Sequence, residues 1–188
     1  MILRRIGNKA RIAADIVPHF PPHTVFIDMF FGAGGIFFNK PLARHNFCND
    51  LDDDVFNLWT VFMHRKDELI EKVELMPVSD SLFQHWRKNK ETDPILKAVR
   101  FLMLSNFGYM GKTETLALTV DKSKSALIKN MLYNFKDVKF ICEDFRKVLP
   151  KLSMNLDEQR PFIYNDPPYL STTDTYTNSF TEQDTSDL

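Results

Sequence analysis

The chain has 188 residues, enough for one sizeable hydrophobic core or a core with a small inserted lobe, but not for two full domains. Its 44% hydrophobic and 26% charged content is ordinary for a globular protein, and a formal net charge of -1 provides no overall attraction to nucleic acid. No apolar run approaches the roughly 20 residues that cross a bilayer, and the N-terminus lacks the apolar core of a signal peptide. The sequence therefore predicts a cytoplasmic protein without membrane contact, in which any site for a polyanion is a local patch.

Residues 1–75 alternate between predicted strands and helices. After a short helix between Lys9 and Val17, the run TVFIDMF predicts a strand that leads directly into the turn FGAGG and then into a helix, IFFNKPLA. The run HNFCND predicts a second strand that ends in an acidic residue. The segment DDDVFNLWTVFMHRKDELIEKVELM predicts one long amphipathic helix with Asp52 as its cap.

Residues 76–137 change this pattern to helices alone. Three helices are predicted there: from Asp80 to about Lys90, from Pro94 after the cap Asp93, and from about Ser123 to Phe135. Strands and helices alternate again in residues 138–188, with VKFIC, DFRKVLPKL and PFIYN. We therefore predict an α/β domain, formed by residues 1–75 and 138–188, that carries residues 76–137 as a mainly helical insertion.

Gly32, Gly34 and Gly35 lie where the first predicted strand meets its helix. Such a turn lets a ligand approach the backbone, although a plain tight turn explains the glycines equally well. The dinucleotide fingerprint needs a further glycine where Phe37 stands, and no Gly-Lys-Ser/Thr follows as in a phosphate loop. Asp50 ends the second strand at about the spacing of a ribose-binding acid; alone, such a residue is more often a helix cap or a surface residue, but the glycine turn before it favours the ribose-binding role. Together these residues predict a nucleoside ligand without a bound pyrophosphate.

Asp166 begins the strongest signal, an Asp-Pro-Pro-Tyr sequence at the C-terminal end of the last predicted strand. Open α/β sheets bind ligands at that edge. Pro167 and Pro168 stiffen the backbone and remove two amide donors, so the groups that remain are acceptors of hydrogen bonds. These acceptors suit an amino group with two hydrogens, and Tyr169 adds a flat face on which a base stacks. The alternative is a proline-stiffened turn that only closes the strand.

Three motifs in this order resemble those of the Dam-type adenine-specific DNA methyltransferases. They are RRIGNK near the start, FFGAG after the first strand and NDPPY near the end, in the alpha arrangement that places target recognition between the last two. The resemblance implies the α/β, Rossmann-like fold of S-adenosylmethionine-dependent methyltransferases, with an inserted, mainly helical target-recognition lobe. It also implies methyl transfer from S-adenosylmethionine to the N(6) amino group of adenine in double-stranded DNA.

The resemblance further implies roles for individual residues. The expected cofactor contacts are Arg5 and Lys9 near the methionine end, Asp28, Phe30, Gly32 and Gly34 around the cofactor, Asp50 on its ribose, Asp144 and Phe145 beside its adenine, and Asp166. For catalysis, Asp166 and the Pro167 carbonyl would accept the two hydrogens of the adenine amino group, while Tyr169 stacks on the extruded base. Asp166 would act by orienting the nitrogen more than as a strong base.

The predicted lobe carries cations beside aromatic and small polar groups. The expected contacts to phosphates and base edges are Arg87, Lys88, Lys90, Asn106, Tyr109, Lys112, Lys122 and Lys124. A solvated helix face explains each of these cations equally well. No metal site is expected, since the histidines are scattered and Cys48 and Cys142 are typical of reduced thiols in a core.

The strand before Asp166 is the fourth predicted strand, whereas the sheet of the family has seven. The C-terminal part of the sheet is therefore expected to be missing, with Phe162 and Ile163 uncovered at an edge unless a partner or a further C-terminal segment shields them. Two readings remain open: an active modification enzyme of a phage, mobile element or restriction system, or a truncated, catalytically impaired remnant that binds only cofactor or DNA. An amino group on RNA, protein or a small molecule is a third reading.

Overall fold

The chain folds into two compact units. The computed structural model describes residues 2–108, 116–117, 124–131, 138–169 and 180–188. The helical unit consists of Met1–Ile6 and Asn57–Lys136, and the α/β unit consists of Gly7–Phe56 and Asp137–Leu188. The limits of the predicted insertion, residues 76–137, stay a prediction.

The secondary structure combines short parallel strands with helices. The strands are β1 (Val25–Asp28), β2 (His45–Asn49), β3 (Val138–Ile141) and β4 (Pro161–Tyr164). The described α-helices are α1 (Ala13–Ile16), α2 (Asp53–His64), α3 (Lys66–Leu75), α4 (Asp80–Lys88), α5 (Pro94–Phe107), α6 (Lys124–Met131), α7 (Phe145–Val148) and α8 (Glu182–Asp187). Single 3₁₀ turns include Lys9–Arg11, Val17–His19, Phe37–Asn39 and Leu149–Lys151. Within the described residues, no helix has the length and apolarity to cross a membrane.

A parallel sheet with the strand order β3-β2-β1-β4 forms the centre of the α/β unit. All four residues of β1 are buried, as expected for a central strand that is covered on both faces. β1 and β4 pair so that Asp28 lies opposite Tyr164, two residues before Asp166. The predicted α/β, Rossmann-like architecture is confirmed, and the ends of β1 and β4 lie side by side.

β4 lies at an edge of the sheet among the described strands, as the sequence predicts. Ile163 is 37% exposed there. The expectation that Phe162 is uncovered is wrong, because its ring packs 4.6 Å from that of Phe20 and 5.3 Å from that of His23. The aromatic residues that follow the turn Val17–His19 cover this part of the edge strand.

Two predicted helices differ from the observed ones. The helix expected after the glycine turn is only the 3₁₀ turn Phe37–Asn39, because Pro41 disfavours helical geometry in the preceding residue, Lys40, which is extended at φ -118° and ψ 158°. The long helix predicted from Asp52 is divided into α2 and α3, because the backbone of Arg65 leaves the helical region at φ -136° and ψ 38°. The Asp52 cap itself is confirmed, since its Oδ1 accepts a hydrogen bond from the Asp54 amide at 3.0 Å.

Asn49, the last residue of β2, connects the loops that follow the neighbouring strands. Its buried amide nitrogen donates to the carbonyl oxygens of Met29 at 3.1 Å and Glu143 at 2.9 Å. Its Oδ1 accepts a hydrogen bond from the Glu143 amide at 3.1 Å. Because buried backbone groups need such partners, Asn49 holds the loops after β1 and β3 at the same edge of the sheet. No pattern in the sequence predicted this role of Asn49.

The helical unit has its own buried core on α5. The predicted cap of α5 is confirmed, because Asp93 Oδ1 accepts a hydrogen bond from the Leu96 amide at 2.9 Å. Arg100 on α5 is buried, and its Nε donates to the carbonyl oxygens of Trp86 at 2.8 Å and Asn89 at 2.9 Å. Arg100 therefore satisfies carbonyl groups at the C-terminal end of α4.

Candidate active site

An ion pair between Lys9 and Asp166 lies at the carboxyl edge of the sheet. The Nζ atom of Lys9 is 2.7 Å from each carboxylate oxygen of Asp166, although the two residues are 157 positions apart. The two side chains are only 18% and 20% exposed. Nζ also lies 5.1 Å from the centre of the Tyr169 ring. The structure thus joins the N-terminal basic motif directly to the Asp-Pro-Pro-Tyr motif.

The charge of Lys9 is stabilised by this pair. Burial acts to lower the pKa of Lys9, but hydrogen bonding and the negative charge of Asp166, together with Tyr169, outweigh it and raise the pKa above the usual 10.5. Because the pKa of Lys9 is higher in the folded than in the unfolded state, the ion pair stabilises the fold at neutral pH. This stabilisation is lost only as the pH rises through the folded-state pKa, above 10.5. Lys9 is therefore a cation throughout the neutral pH range.

Tyr169 offers an accessible aromatic face beside this pair. Its side chain is 53% exposed, whereas Asp166, Pro167 and Pro168 are half-buried. A flat aromatic ring at the rim of a carboxylate site can stack on a planar base.

The glycine turn after β1 needs two left-handed residues. Gly32 has φ +51° and Gly34 has φ +67°, a region that residues with a side chain rarely adopt. A Cβ atom at Gly34 would lie 2.5 Å from the Phe38 side chain, so that position is tightly packed. At Gly32 the nearest atom to such a Cβ would be the Phe30 carbonyl oxygen at 3.9 Å. A ligand can therefore approach the backbone at Gly32.

Asp50 holds the glycine turn in place. Its Oδ2 accepts a hydrogen bond from the Gly32 amide at 2.7 Å, and its Oδ1 accepts one from the Asp52 amide at 2.9 Å. The Asp50 carboxylate therefore joins the glycine turn to the residues that lead into α2.

Asp28 is a buried acid at the same edge. It is 3% exposed, and its Oδ1 accepts a hydrogen bond from the Phe30 amide at 3.2 Å. Burial raises the pKa of Asp28 to about 8 against the effect of that amide, and the negative charges of Asp50 and Asp166 add to the increase. Asp28 is thus protonated at neutral pH, which reduces the negative charge of the site.

The family of the chain follows from its sequence relatives. The profile of the D12 class N6 adenine-specific DNA methyltransferases matches residues 6–188. The chain belongs to this family. A DNA adenine methylase of Escherichia coli (strain K12) is 28% identical, over 95% of this chain and 70% of the relative. One from Salmonella typhi is 27% identical over the same shares, and the Retron Ec67 DNA adenine methylase of Escherichia coli is 25% identical over 97% and 68%.

The predicted family is therefore confirmed, and the protein is an adenine-specific DNA methyltransferase that acts on the N(6) amino group. Two of the predicted cofactor motifs of the methyltransferase meet in the structure. The ring of Phe30, before the glycine turn, lies 5.6 Å from that of Phe145, after β3. Asp144 begins α7, because its Oδ1 accepts a hydrogen bond from the Arg146 amide at 2.9 Å.

Gly35 provides the space in which the N-terminal motif of the methyltransferase packs. A Cβ atom at this position would lie 2.0 Å from Asn8 Oδ1 and 2.7 Å from the Ala10 amide nitrogen. Asn8 in turn accepts a hydrogen bond from the Ala10 amide at 2.9 Å and so shapes the turn that carries Lys9. From the sequence, Gly35 was predicted only as part of the glycine turn.

Gly35→Ala is expected to lower the methylation rate by roughly tenfold, because the added methyl group displaces the turn that places Lys9 on Asp166. Initial rates at saturating substrates measure the effect. Gly108→Ala is the control, since Gly108 lies in the helical unit at φ -67°, which alanine tolerates. A Gly35→Ala enzyme with the wild-type rate would contradict this role.

Asp28→Asn is expected to remove a decline in stability with pH. The folded pKa of Asp28, about 8, is higher than the value of about 3.9 for an unfolded aspartate, so wild-type stability falls between these pH values. The free energy of unfolding of the variant relative to wild type should increase by roughly 1–3 kcal/mol from pH 6 to pH 8. Urea unfolding at both pH values measures this, with the exposed Asp15→Asn as control. A difference that is independent of pH would disprove the buried, protonated Asp28.

The predicted DNA contacts that the structure describes belong to the helical unit. Arg87 and Lys88 are exposed in the last turn of α4, and Lys90 is exposed just after it. Arg5 is half-buried in the same unit, and its predicted place near the cofactor stays a prediction. Tyr109, Lys112 and Lys122 lie outside the described residues.

Asn106 and Lys124 take part in contacts within the helical unit. The buried amide nitrogen of Asn106 donates to the Ile2 and Leu102 carbonyl oxygens, both at 3.0 Å. Lys124 Nζ donates to the carbonyl oxygen of Met76 at 2.9 Å, at the end of α3. Both side chains therefore have a structural role, and the exposed cations near α4 are the better candidates for DNA contact.

Proposed function

We propose that the methyl donor is S-adenosylmethionine and that the acceptor is an adenine extruded from double-stranded DNA. The observation that carries this proposal is the arrangement at the carboxyl edge of the sheet. Asp166 follows β4 and is bound by Lys9. The glycine turn follows the neighbouring strand β1, and its Gly32 amide donates a hydrogen bond to Asp50. Methylation of an amino group needs both a nucleoside-type cofactor site and a set of acceptors beside it.

The residues around the glycine turn suit this cofactor. The open space at Gly32 admits a ligand to the backbone, and the Asp50 carboxylate beside it is of the type that accepts hydrogen bonds from ribose hydroxyl groups. Phe30 and Phe145 offer aromatic surface for an adenine, with Asp144 beside them. The turn lacks the sequence of a phosphate loop, in agreement with a cofactor that has no phosphate. When bound, the cofactor supplies an electrophilic methyl group on a sulfonium.

Asp166 and Pro167 would prepare the amino group of adenine for attack. The lone pair of that nitrogen is delocalised into the ring, so the nitrogen is a poor nucleophile until its two hydrogens are drawn out of the ring plane. Each oxygen of Asp166 has two acceptor sites, and Lys9 occupies one on each oxygen at 2.7 Å. The other sites accept one amino hydrogen, and the Pro167 carbonyl oxygen accepts the second. The accessible ring of Tyr169 stacks on the base.

Lys9 orients Asp166 as an acceptor of hydrogen bonds. Its Nζ atom contacts both carboxylate oxygens at 2.7 Å. This contact limits the rotation of the Asp166 side chain, which favours a single orientation toward the amino group. After methyl transfer the N(6) atom would carry a positive charge, and it would then release one hydrogen as a proton to water, which leaves the neutral methylated adenine.

The exposed cations near the end of α4 are proposed to bind DNA. Arg87, Lys88 and Lys90 are close in sequence and all exposed, as phosphate contacts must be. Such contacts position the enzyme on DNA without reading its sequence.

Transfer of a labelled methyl group from S-adenosylmethionine to double-stranded DNA tests the proposal, with RNA and protein as alternative acceptors. Calorimetric titration with the cofactor accompanies it, and Asp50→Ala should weaken binding by roughly 10- to 100-fold, because hydrogen bonds to a charged group are lost. The exposed Asp53→Ala is the control. Absence of cofactor binding by the wild-type chain would disprove the donor assignment. Binding without transfer to any acceptor would instead support the remnant that binds only cofactor or DNA.

A further inference from the structure

Arg146 attaches the helix α8 to α7 through three carboxylates. Its Nε donates to Asp187 Oδ2 at 2.6 Å, its Nη2 donates to Asp184 Oδ1, and its Nη1 lies 3.2 Å from Asp144 Oδ2. A guanidinium group has five N–H donors in a rigid plane, so it can bind three carboxylates at once, which a lysine does less well. Two of the three partners lie about forty residues away in the sequence, on α8.

The start of α8 is itself well defined. Thr181 and Asp184 form a capping box, in which the Thr181 amide donates to Asp184 Oδ2 at 2.6 Å and the Asp184 amide donates to Thr181 Oγ1 at 3.2 Å. Hydrogen bonds from Arg146 and then Thr181 lower the pKa of Asp184 to about 2. Asp184 therefore remains ionised at neutral pH, and the first turn of α8 is held on Arg146.

An aromatic contact accompanies the charge cluster. Phe180, directly before the capping box, is 9% exposed. Its ring lies 5.8 Å from that of Phe30 and 6.3 Å from that of Phe145. The guanidinium carbon of Arg146 lies 4.6 Å from the centre of the Phe145 ring. Charged and apolar contacts from Phe180 and α8 thus converge on Phe30, Asp144 and Phe145.

We propose that Arg146 is a positioning residue for the cofactor site. Arg146 fixes Asp144 directly, and it also fixes the segment from Phe180 to Asp187, which packs against Phe30 and Phe145. The inference rests on the proposed function, because it takes these three residues as neighbours of the adenine of the cofactor. Arg146 itself does not contact the cofactor. Cofactor binding and the attachment of α8 to Arg146 both stabilise the same positions of Phe30, Asp144 and Phe145. Each therefore strengthens the other by the same factor.

Arg146→Ala should therefore weaken cofactor binding without a matching loss in the chemical step. We expect the Kd and KM for S-adenosylmethionine to rise roughly five- to twentyfold, since three partly exposed ion pairs of modest strength are lost. The kcat value should stay within about twofold, because an arrangement selected by the bound cofactor is restored at saturation. Arg146→Lys should recover part of the affinity, since it keeps the charge but not the planar set of donors.

Two further variants, one double substitution in α8 and one control, complete the test of Arg146. Asp184→Asn/Asp187→Asn preserves the shape of α8 and leaves Arg146 in place, and it should reproduce most of the loss of affinity even if Arg146→Ala folds poorly. Arg65→Ala is the matched control, because Arg65 is an exposed arginine that pairs with a single carboxylate, Glu68, in the helical unit. It should bind the cofactor as the wild type does.

Calorimetry and initial rates separate the outcomes. Wild-type affinity in both Arg146→Ala and Asp184→Asn/Asp187→Asn would overturn the inference and leave the proposed function intact. A fall in kcat with an unchanged KM for the cofactor would also overturn it. Failure of the wild-type protein itself to bind S-adenosylmethionine would reject the proposed donor, and this inference with it.

Discussion

Asp166→Ala is expected to reduce methyl transfer at saturating cofactor and DNA by roughly 10³-fold or more, an effect comparable to the loss of a preorganised group that contacts the reacting atoms. Alanine removes the carboxylate that accepts an amino hydrogen. It also leaves Lys9 without the partner that its Nζ contacts at 2.7 Å. The amino nitrogen would then keep its planar, weakly nucleophilic form.

Single-turnover rates with labelled cofactor measure this loss directly. Asp166→Asn keeps one oxygen acceptor and the side-chain volume, so it should retain more activity than alanine, though well below the wild type. Calorimetric titration with the cofactor should show a much smaller change than the rate does. Activity of Asp166→Ala within tenfold of the wild type would remove Asp166 from the reaction and leave the Asp-Pro-Pro-Tyr sequence as a structural turn.

Lys9→Met is expected to lower kcat by roughly 10- to 100-fold, because Asp166 loses the cation that orients its two oxygens. Methionine has a similar length and no charge, so the change mainly removes the ion pair. The effect should be smaller than that of Asp166→Ala, since the carboxylate remains. The raised pKa of Lys9 predicts that wild-type activity shows no loss attributable to Lys9 until the pH exceeds its usual 10.5.

Lys9→Arg separates the charge from the exact shape of the side chain and should restore part of the rate. The sequence also predicted Lys9 near the methionine end of the cofactor, and kinetics distinguish the two roles. A raised KM for S-adenosylmethionine with an unchanged kcat would place Lys9 on the cofactor and contradict its action through Asp166. A fall in kcat with little change in KM is the result that the ion pair predicts.

The ion pair between Lys9 and Asp166 also affects which ligands the site can bind. The Nζ atom of Lys9 contacts both oxygens of Asp166 at 2.7 Å and so fixes the directions of the acceptor sites that remain on the carboxylate. Pro167 and Pro168 have no amide hydrogen, so these two positions offer no donor that competes for the carboxylate. The arrangement therefore selects a ligand that brings its own donors, as an amino group does.

Several features of the methyltransferase were predictable from the sequence because they depend on short-range patterns. The strand TVFIDMF is a continuous apolar run, and β1 is fully buried as such a run predicts. The caps Asp52 and Asp93 were recognisable, because a cap depends on residues three or fewer positions away. The parallel α/β fold and the family follow from the order of three short motifs.

The local sequence pattern did not predict the observed helices where a single residue interrupts an otherwise helical segment. The apolar spacing from Asp52 to Met76 is helical throughout, yet the backbone breaks at Arg65, whose guanidinium binds Glu68 at 2.9 and 2.7 Å. The helix predicted after the glycine turn is also wrong, because Pro41 restricts the backbone of Lys40 to an extended conformation. Phe162 was expected to be uncovered, and the rings that cover it come from a turn before β1.

By itself, the sequence determined which residues form the sheet and which motifs carry the chemistry, since strands, turns and prolines act on their immediate neighbours. Only the tertiary structure decided how those motifs work together. Three contacts illustrate this: the pairing of Lys9 with Asp166, the packing of Asn8 against Gly35 and the attachment of α8 by Arg146. They join residues that are 157, 27 and 41 positions apart in the sequence. Such contacts depend on how the elements pack, and no periodicity along the chain records them.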